Sequence, residues 1–303
     1  MAIVSVIIPT YNRAEDLMRC LKSVLAQTYK DYEIIIVDDG SSDNTRELVA
    51  NIEGPIQYIY QQNQGPAGAR NTGIKCAKGE YIAFIDDDTI WHPEKLEIQM
   101  AYFTENSDIG IVKCQEDAIN SINNYVTAVI ERSKIRTQIK SKLQVFRSPN
   151  LFPPSVIIKK FLLEKVNYFD AKFTPRAAED TDLFLRLSDI TTVLEIDARL
   201  VFLYEHDRHI SLGVEPYFDR IRVYERYLSE RPDLKTLYAK AIKEIYCNTC
   251  MCTAREYFTI HDAVSARKYF LKALSYRWDL VAVYLYLKSF YLQLNGYKGV
   301  DDR

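Results

Sequence analysis

Residues 81–88 read YIAFIDDD, an apolar run that ends in three adjacent carboxylates. The β-forming residues predict a buried strand, and the end of that strand brings Asp86, Asp87 and Asp88 to the rim of a sheet. Because neighbouring negative charges repel one another, a fold that gathers three of them usually supplies a cation. Carboxylate oxygens on a loop suit Mn²⁺ or Mg²⁺; the alternative interpretation is an aspartate-rich turn or helix cap.

A second predicted strand, at residues 32–37, ends in the same way. Asp38 and Asp39 follow it directly. A carboxylate in that position can accept hydrogen bonds from a base N–H or from ribose hydroxyls, whereas the alternative is that one of the two only caps the next helix. The chain has no glycine-rich loop with a Lys-Ser or Lys-Thr pair, so a nucleotide would be held by carboxylates, a metal and loop amides.

Strand and helix patterns alternate four times over roughly the first ninety residues. The strands are expected at residues 3–8, 32–37, 56–61 and 81–85. This alternation predicts a mainly parallel, Rossmann-like sheet with helices on its faces and ligands at the carboxyl ends of the strands. Residues 116–142 show no clear period and receive no assignment. From about residue 216 the chain reads as consecutive helices, so we expect an α/β domain over residues 1–214 and an all-helical extension over 215–303.

Composition narrows the class of protein. The chain has 303 residues, of which 48% are apolar and 26% charged, the balance of a soluble globular protein. Its formal net charge of −2 argues against a general affinity for polyanions, so nucleic acid is not expected as a partner. The start of the chain reads as a strand rather than a signal peptide, no apolar run of about 18 residues occurs, and the six cysteines are scattered. A cytoplasmic location, with free thiols, follows as the expectation.

Four motifs resemble those of family-2 glycosyltransferases, in that family's order and spacing. They are VIIPTYN at residues 6–12, IVDDGSSD at 36–43, NQG at 63–65 with ARNTG at 69–73, and FIDDD at 84–88. The resemblance covers roughly residues 3–211. It implies a GT-A fold for the 1–214 domain, in which a Rossmann-like nucleotide-sugar half joins an acceptor half. It also implies an inverting, metal-dependent transferase that moves a sugar from a nucleoside diphosphate, here expected to be a UDP sugar, to a hydroxyl of a glycan or a lipid-linked saccharide.

The resemblance implies roles for residues on the nucleotide side. Thr10 and Asp39 would contact the nucleoside, and Asp87 would touch the ribose. Arg70 would flank the base or the diphosphate.

Two further sets of residues would carry the chemical step. Asp88 would bind the metal that bridges the diphosphate, with Asp86 as the second candidate ligand, because a divalent ion stabilises the departing diphosphate as a Lewis acid. Glu179 and Asp180 resemble the family's Glu-Asp pair ahead of the acceptor-side helix. Inversion needs a base opposite the leaving group, which implies Asp180 as the base and Glu179 as a residue that positions the acceptor or tunes its neighbour. The alternative is that the two acids only stabilise a helix N-terminus.

The chain departs from the family pattern in two places, one after the Glu-Asp pair and one before it. Residues 204–211 resemble the family's trailing Tyr-Arg-x-His and Ser segment, but Glu205 stands where an arginine is expected. His206 is assigned to the donor diphosphate, and His209 is the alternative. Residues 166–170, VNYFD, replace the family's Gly-Gly-Phe-Asp, so the acceptor cannot be inferred from this side.

The helical extension ends in an aromatic-rich amphipathic segment that begins at Tyr276. Tyr and Trp are favoured at membrane interfaces, so the segment could make the protein peripheral at the inner face of the membrane. The alternative, packing on the preceding helices or on a protein partner, is favoured because Lys and Arg are not dense along the segment.

Two rival functions remain open. One is a non-catalytic nucleotide-sugar-binding or scaffold protein of a glycan-assembly complex. The other is a nucleotidyltransferase, which would need a glycine-rich basic loop after the first strand. Residues 9–13, PTYNR, do not form one.

Overall fold

The strand–helix alternations predicted for the start of the chain are present in the computed structural model. The structure describes residues 3–119, 130–148, 151–173, 178–204, 215–260, 262–278 and 280–294. These residues divide into two compact units. The first holds the described residues up to Tyr204 except Ala178, and the second holds Ala178 and the helices from Glu215 onward.

Four parallel strands form the first half of the sheet. They are β1 (Val4–Thr10), β2 (Tyr32–Asp38), β3 (Ile56–Tyr60) and β4 (Tyr81–Phe84), in the order β3-β2-β1-β4. They are connected by helices α1 (Ala14–Leu25), α2 (Thr45–Ala50) and α3 (Gly65–Cys76), as parallel pairing requires. Thr10 pairs in register with Asp38, so β1 and β2 end level with each other.

Beyond β4 the sheet is mixed. Its other strands are β5 (Thr89–Trp91), β6 (Ile109–Ile119), β7 (Thr137–Lys140), β8 (Val156–Lys159) and β9 (Thr192–Tyr204). The order continues as β4-β8-β6-β9-β5, and β7 also pairs with β9. β6 and β9 are parallel, whereas β8 is antiparallel to β4 and β6. The continuous parallel part of the sheet therefore ends at β4. The helices of this part are α4 (Lys95–Glu105), α5 (Lys142–Arg147), α6 (Lys160–Lys165) and α7 (Glu179–Ser188).

Both faces of the parallel half are buried. Val6 and Ile8 of β1 pack in one core cluster with Leu21 of α1. Ile7, which points the opposite way, packs in a second cluster with Ile74 of α3. Apolar residues such as Val6, Ile7 and Ile8 lie on both faces of the strand, so helices are needed on both sides of the sheet. The strand ends are then the place for polar chemistry.

Two strands were not expected from the sequence. β5 begins one residue after the three aspartates, and β7 lies in the stretch without a clear period. Thr137, Gln138 and Ile139 of β7 are all exposed, so no alternation of buried and exposed residues marks the strand. Its pairing with β9 defines it, which is tertiary information.

From Glu215 onward the described residues form helices. These are α8 (Glu215–Glu230), α9 (Pro232–Leu237), α10 (Ala239–Thr259), α11 (Ala263–Tyr276) and α12 (Leu280–Leu294). α10, α11 and α12 share a core that includes Cys247, Cys250 and Phe270. The cysteines are free, so Cys247 and Cys250 are buried thiols, as expected. None of the helices that the structure describes combines enough length and apolarity to span a bilayer.

Gly73 is the point at which α3 approaches β1 most closely. A Cβ at this position would stand 2.4 Å from Cγ2 of the buried Ile7. We therefore expect Gly73→Ala to lower the free energy of unfolding of the first unit by about 1–3 kcal/mol, because α3 must shift. Thermal unfolding of Gly73→Ala and of Lys22→Ala, an exposed position on α1, checks this. The second variant should change stability by at most about 0.5 kcal/mol, and equal effects of the two would contradict the close approach.

Candidate active site

Three neighbouring strand ends meet at one edge of the sheet. The backbone N–H of Asp39, just after β2, donates to the carbonyl of Thr10 at the end of β1 over 2.9 Å. Oγ1 of Thr10 donates to Oδ2 of Asp87, just after β4, also over 2.9 Å. Thr10 therefore links the two acidic strand ends across the crevice in which sheets of this topology bind ligands.

The two carboxylates at the end of β2 differ in their contacts. Asp38 accepts hydrogen bonds from the hydroxyl of Tyr58 and from a backbone N–H three residues further on. Asp39 accepts through Oδ1 from Nε2 of Gln61 over 2.6 Å and from the backbone N–H of Gln64 over 2.9 Å. No hydrogen bond from the described residues reaches Oδ2 of Asp39. Asp38 thus fixes the loop that follows β2, and Oδ2 of Asp39 is the carboxylate oxygen that could accept a hydrogen bond from a ligand.

The residues around these acids join the loops after β1 and β2. The backbone N–H of Asn12 donates to Oγ of Ser41 over 2.9 Å, and Oδ1 of Asn12 accepts from the backbone N–H of Ser42 over 2.7 Å. Asn12 and Gly40 both have positive φ, 52° and 92°, a region that favours asparagine and glycine. These motif residues therefore set the shape of the crevice.

Each of the three consecutive carboxylates after β4 is paired with an arginine. Nη1 of Arg13 lies 2.5 Å from Oδ2 of Asp88 and 3.4 Å from Oδ1 of Asp87. Nη2 of Arg70 lies 2.8 Å from Oδ1 of Asp86. Positive charge for this acidic strand end is thus supplied in part by the chain itself.

Asp87 is the most deeply buried of the three. Burial raises the pKa of Asp87 to about 7, Arg13 acts against the rise, and the charge of Asp88 adds to it. Burial therefore favours the protonated form of Asp87 more than that of an ordinary aspartate.

Arg70 connects this edge of the sheet to α7. Its buried guanidinium places Nη1 3.3 Å from Oε1 of Glu179 and 3.6 Å from Oδ1 of Asp180. Both acids lie in the first turn of α7, where the helix dipole favours negative charge. Since Arg70 also binds Asp86, one cation compensates three carboxylates from two distant parts of the chain.

The carboxyl group of Asp180 is perturbed by this environment. Burial raises the pKa of Asp180 well above its ordinary value, Arg70 opposes the rise, and Glu179 and Asp86 add to it. Burial also raises the pKa of Glu179, again against Arg70. Oδ1 of Asp180 is buried with no hydrogen-bond partner in the part of the chain that the structure describes, yet 28% of the side chain is exposed. Asp180 is thus a stronger base than an ordinary aspartate and has a solvent-facing side.

A reciprocal pair of hydrogen bonds joins α3 to Phe169. Nδ2 of Asn71 donates to the carbonyl of Phe169 over 2.9 Å, and the backbone N–H of Phe169 donates to Oδ1 of Asn71 over 3.0 Å. The guanidinium of Arg70 lies 5.5 Å from the centre of the Phe169 ring. Adjacent residues of α3 therefore bind both the backbone and the ring of Phe169.

The sequence model of glycosyl transferase family 2 matches residues 5–166, more than half of the chain. The chain belongs to this family. The resemblance carried by the four motifs is confirmed.

Similar proteins extend this assignment. An uncharacterized glycosyltransferase of Rickettsia felis is 34% identical over 206 residues, which make up 65% of this chain and 32% of that protein. An uncharacterized glycosyltransferase of Haemophilus influenzae is 28% identical over 288 residues, 89% of this chain and 94% of the relative. The UDP-Glc:alpha-D-GlcNAc-diphosphoundecaprenol beta-1,3-glucosyltransferase WfgD of Escherichia coli is 38% identical over 135 residues, 44% of this chain and 53% of the relative. The chain thus spans about a third of the Rickettsia felis relative's length.

Two solved structures share the fold. Staphylococcus aureus TarS 1–349 in complex with UDP-GlcNAc superimposes with a TM-score of 0.60 at 17% identity, covering 98% of this chain and 92% of that one. The mannosyltransferase PcManGT of Pyrobaculum calidifontis, in complex with GDP-Man and Mn²⁺, gives a TM-score of 0.58 at 18% identity, covering 96% and 80%. The expected fold, a GT-A-type sheet flanked by helices with a helical C-terminal region, is confirmed in this family-2 chain.

Direct contacts connect most of the residues singled out from the sequence. Hydrogen bonds link Thr10 to Asp39 and Asp87, and Arg13 adds Asp88 to this group. Ion pairs of Arg70 link Asp86, Glu179 and Asp180. His206 lies outside the described residues. Sequence reasoning did not single out Arg13, although it follows the family motif directly, and did not single out Asn71 for its contact with Phe169.

The metal expected from the resemblance has a limited set of donors. Among the described residues, no group of three or more His, Cys, Asp or Glu side chains is arranged to hold a metal ion. Asp86 and Asp88 are half-buried carboxylates at one strand end, directed to different arginines. Such donors fit an ion that takes one or two protein carboxylates and completes its shell with substrate phosphates and water.

Replacing Arg70 tests whether it compensates the three acids. Removing one partner of a buried ion pair costs roughly 3–5 kcal/mol, so Arg70→Met should lower the melting temperature of the first unit. The loss should be larger at pH 8 than at pH 5, because the carboxyl groups with raised pKa can protonate at the lower pH. Arg132→Met, at an exposed arginine paired with Glu94, should cost less than about 1 kcal/mol at either pH. A loss for Arg70→Met that is equal at both pH values would contradict the role.

Proposed function

We propose that this family-2 chain is an inverting glycosyltransferase. It moves a sugar from a nucleoside-diphosphate sugar, preferentially a UDP sugar, to a hydroxyl of a glycan or lipid-linked saccharide. The observation that carries the proposal is Asp180, a partly exposed carboxylate with a raised pKa that is joined through Arg70 to the acidic strand end. The catalytic part is proposed to be residues 1–214 and the extension residues 215–303.

The choice of donor is supported by similar proteins. The Escherichia coli relative is named for UDP-Glc, and TarS has been solved with UDP-GlcNAc. PcManGT, which has been solved with GDP-Man, marks the competing donor class. A screen of both nucleotides therefore separates the two donor classes.

On the nucleoside side, Thr10 and Asp39 are proposed to contact the base and Asp87 the ribose. Oδ2 of Asp39 can accept a hydrogen bond from a base N–H, because the hydrogen bonds from Gln61 and Gln64 reach Oδ1. Asp87, with a pKa of about 7, can hold a proton and donate it to a ribose hydroxyl, or accept from one when ionised. His206 is proposed for the diphosphate.

Asp180 is proposed to remove the proton from the acceptor hydroxyl as that oxygen attacks the anomeric carbon. Oδ2 is the receiving atom, since Oδ1 is buried toward Arg70. The raised pKa makes the carboxylate a better proton acceptor, and the positive charge of Arg70 opposes the rise. Glu179 is buried and contacts the same guanidinium, so it serves to position Arg70 and, through it, Asp180. Arg70, expected at the base or diphosphate, is proposed for the diphosphate side because it binds Asp86.

A divalent ion, Mn²⁺ or Mg²⁺, is proposed at Asp88, with Asp86 as the second candidate. The chemistry that such an ion supplies when bound is Lewis-acid stabilisation of the negative charge on the departing diphosphate. Asp88 is the stronger candidate because its partner Arg13 is partly exposed and can move away, whereas Oδ1 of Asp86 is held by the buried Arg70.

The acceptor and setting follow from the same relatives. The Escherichia coli protein is named for a diphosphoundecaprenol-linked acceptor, which supports a lipid-linked saccharide as the acceptor. A cytoplasmic enzyme, peripheral at the inner face of the membrane, is proposed as the setting. In that setting the helical extension is proposed to bind a protein partner or the membrane. No observation favours the alternative of a non-catalytic scaffold protein.

Two variants test the mechanism, because one should lose the chemical step and the other should lose metal-dependent donor binding. Asp180→Asn should reduce transfer by roughly 10²–10⁴-fold and leave the thermal stabilisation by UDP and Mn²⁺ intact. Asp88→Ala should abolish the Mn²⁺-dependent part of that stabilisation. The wild-type chain with GDP and Mn²⁺ is the comparison for nucleotide choice.

Near-normal turnover by Asp180→Asn would remove it as the base. If no nucleoside diphosphate or nucleotide sugar stabilises the folded wild-type chain with Mn²⁺, the transferase proposal itself fails.

Arg13 is expected to oppose metal binding in the absence of donor. Its guanidinium is 2.5 Å from Oδ2 of Asp88, so a divalent ion on that carboxylate would meet a like charge close by. Arg13→Gln should therefore raise the affinity of the donor-free protein for Mn²⁺ by about tenfold, measured by electron paramagnetic resonance of the unbound ion. Arg19→Gln, on the helix α1 that follows Arg13 and paired with Asp16, is the matched control. An unchanged Mn²⁺ affinity in Arg13→Gln would show that the guanidinium does not compete with the ion.

A further inference from the structure

The last described helix, α12, is apolar on nearly all sides. One face packs on α11 within the helical unit: Ala282 and Ser289 are fully buried, and Leu285 packs against the shared core. A helix that needs only this contact would carry polar residues on its opposite face. Leu280–Leu294 instead contains a single charged residue, Lys288.

The opposite face of α12 is exposed and apolar. Leu280 is 75% exposed, Tyr284 61% and Leu287 59%, at the i, i+4 and i+7 positions that share one side of a helix. Trp278, just before the helix, is 73% exposed. We call these four residues the outer strip. Single exposed leucines are ordinary, but four large apolar side chains in one strip mark a binding surface.

The charge around the outer strip is mainly positive. From Ala263 to Leu294 the sequence carries five Lys or Arg residues and one aspartate, Asp279, a net charge of +4 in a chain whose formal net charge is −2. The basic residues are Arg267, Lys268, Lys272, Arg277 and Lys288. In the sequence Arg277 precedes Trp278 and Lys288 follows Leu287, and Nζ of Lys288 lies 5.7 Å from the centre of the Phe258 ring on α10. A partner for this surface must be apolar at its centre and negative around it.

A lipid surface with anionic headgroups meets both requirements. Amphipathic helices that lie in a membrane interface bury an apolar face between the headgroups and keep Lys and Arg at its borders. Trp278 and Tyr284 belong to the residue types that favour this layer. A second copy of the chain fits less well, because two surfaces of net charge +4 would repel each other.

We propose that the outer strip of α12 docks the protein on the surface of an anionic membrane, with the helix parallel to the bilayer. The basic residues of α11 and α12 supply the electrostatic attraction, and Trp278, Leu280, Tyr284 and Leu287 enter the interface. This docking is peripheral, in keeping with the absence of a bilayer-spanning helix among the described residues. It does not depend on the proposed transfer reaction.

Co-sedimentation of the complete chain with vesicles tests the proposal. Wild type should bind vesicles of phosphatidylcholine with roughly one-third phosphatidylglycerol and bind phosphatidylcholine alone much more weakly. Raising NaCl from about 0.1 M to about 0.5 M should weaken binding to the anionic vesicles. Leu280→Ser/Leu287→Ser should lower vesicle partitioning by about tenfold or more, because two large apolar groups no longer enter the interface.

The matched control is Ile139→Ser/Leu237→Ser, which removes two other exposed apolar side chains and should bind as wild type does. Fluorescence gives an independent readout, because Trp278 is one of two tryptophans and Trp91 is buried. The emission should shift to the blue on addition of anionic vesicles, and Trp278→Phe should lose that shift.

Three outcomes would overturn the proposal: no binding of wild type to anionic vesicles, equal binding by wild type and Leu280→Ser/Leu287→Ser, or binding that is indifferent to lipid charge and salt. Self-association of wild type that the same two substitutions abolish would identify a second copy as the occupant instead. Transfer activity enters none of these readouts, so failure here leaves the proposed reaction untouched.

Discussion

The ion pairs of a single buried guanidinium organise this molecule. Arg70 leaves the sheet-covering helix α3 and reaches Asp86 at the end of β4 and Glu179 and Asp180 at the start of α7. Buried carboxylates without a counter-charge are costly, so this cation stabilises the packing of the start of α7 beside the end of β4. The contact that makes the assembly stable is therefore also the one that sets the charge state of the proposed base.

Charge compensation extends along the whole acidic edge. Arg13 pairs with Asp87 and Asp88, Thr10 donates to Asp87, and burial raises the pKa of Asp87. A site for a diphosphate and a divalent ion must accept large changes in charge when these bind and leave. Arginine side chains that can exchange a carboxylate for a phosphate, and a carboxyl group that can take up or release a proton, allow such changes without a rearrangement of the strands.

The strand ends could be predicted from the sequence because their signals are local. An apolar run followed by aspartates specifies both the strand and the position of its carboxylates, and this holds at Asp39 and at Asp86–Asp88. The pairing of Arg13 with Asp88 joins residues 75 positions apart. It has no local signal, because an arginine in a loop reads as a solvated side chain. β7 was missed for a related reason, since its residues are exposed and only its pairing with β9 makes it a strand.

Asn71 binds the backbone of Phe169 and not its side chain. Both of its hydrogen bonds go to the amide and carbonyl of residue 169, and neither depends on the side chain there. The two residues before it, Asn167 and Tyr168, have φ of 60° and 62°. Glycine adopts this region without strain, which accounts for the glycine pair at these positions in the commoner family sequence. In this chain the same kind of turn carries an asparagine and a tyrosine side chain, so its surface differs from that of a glycine turn while its backbone conformation remains one that glycine can adopt.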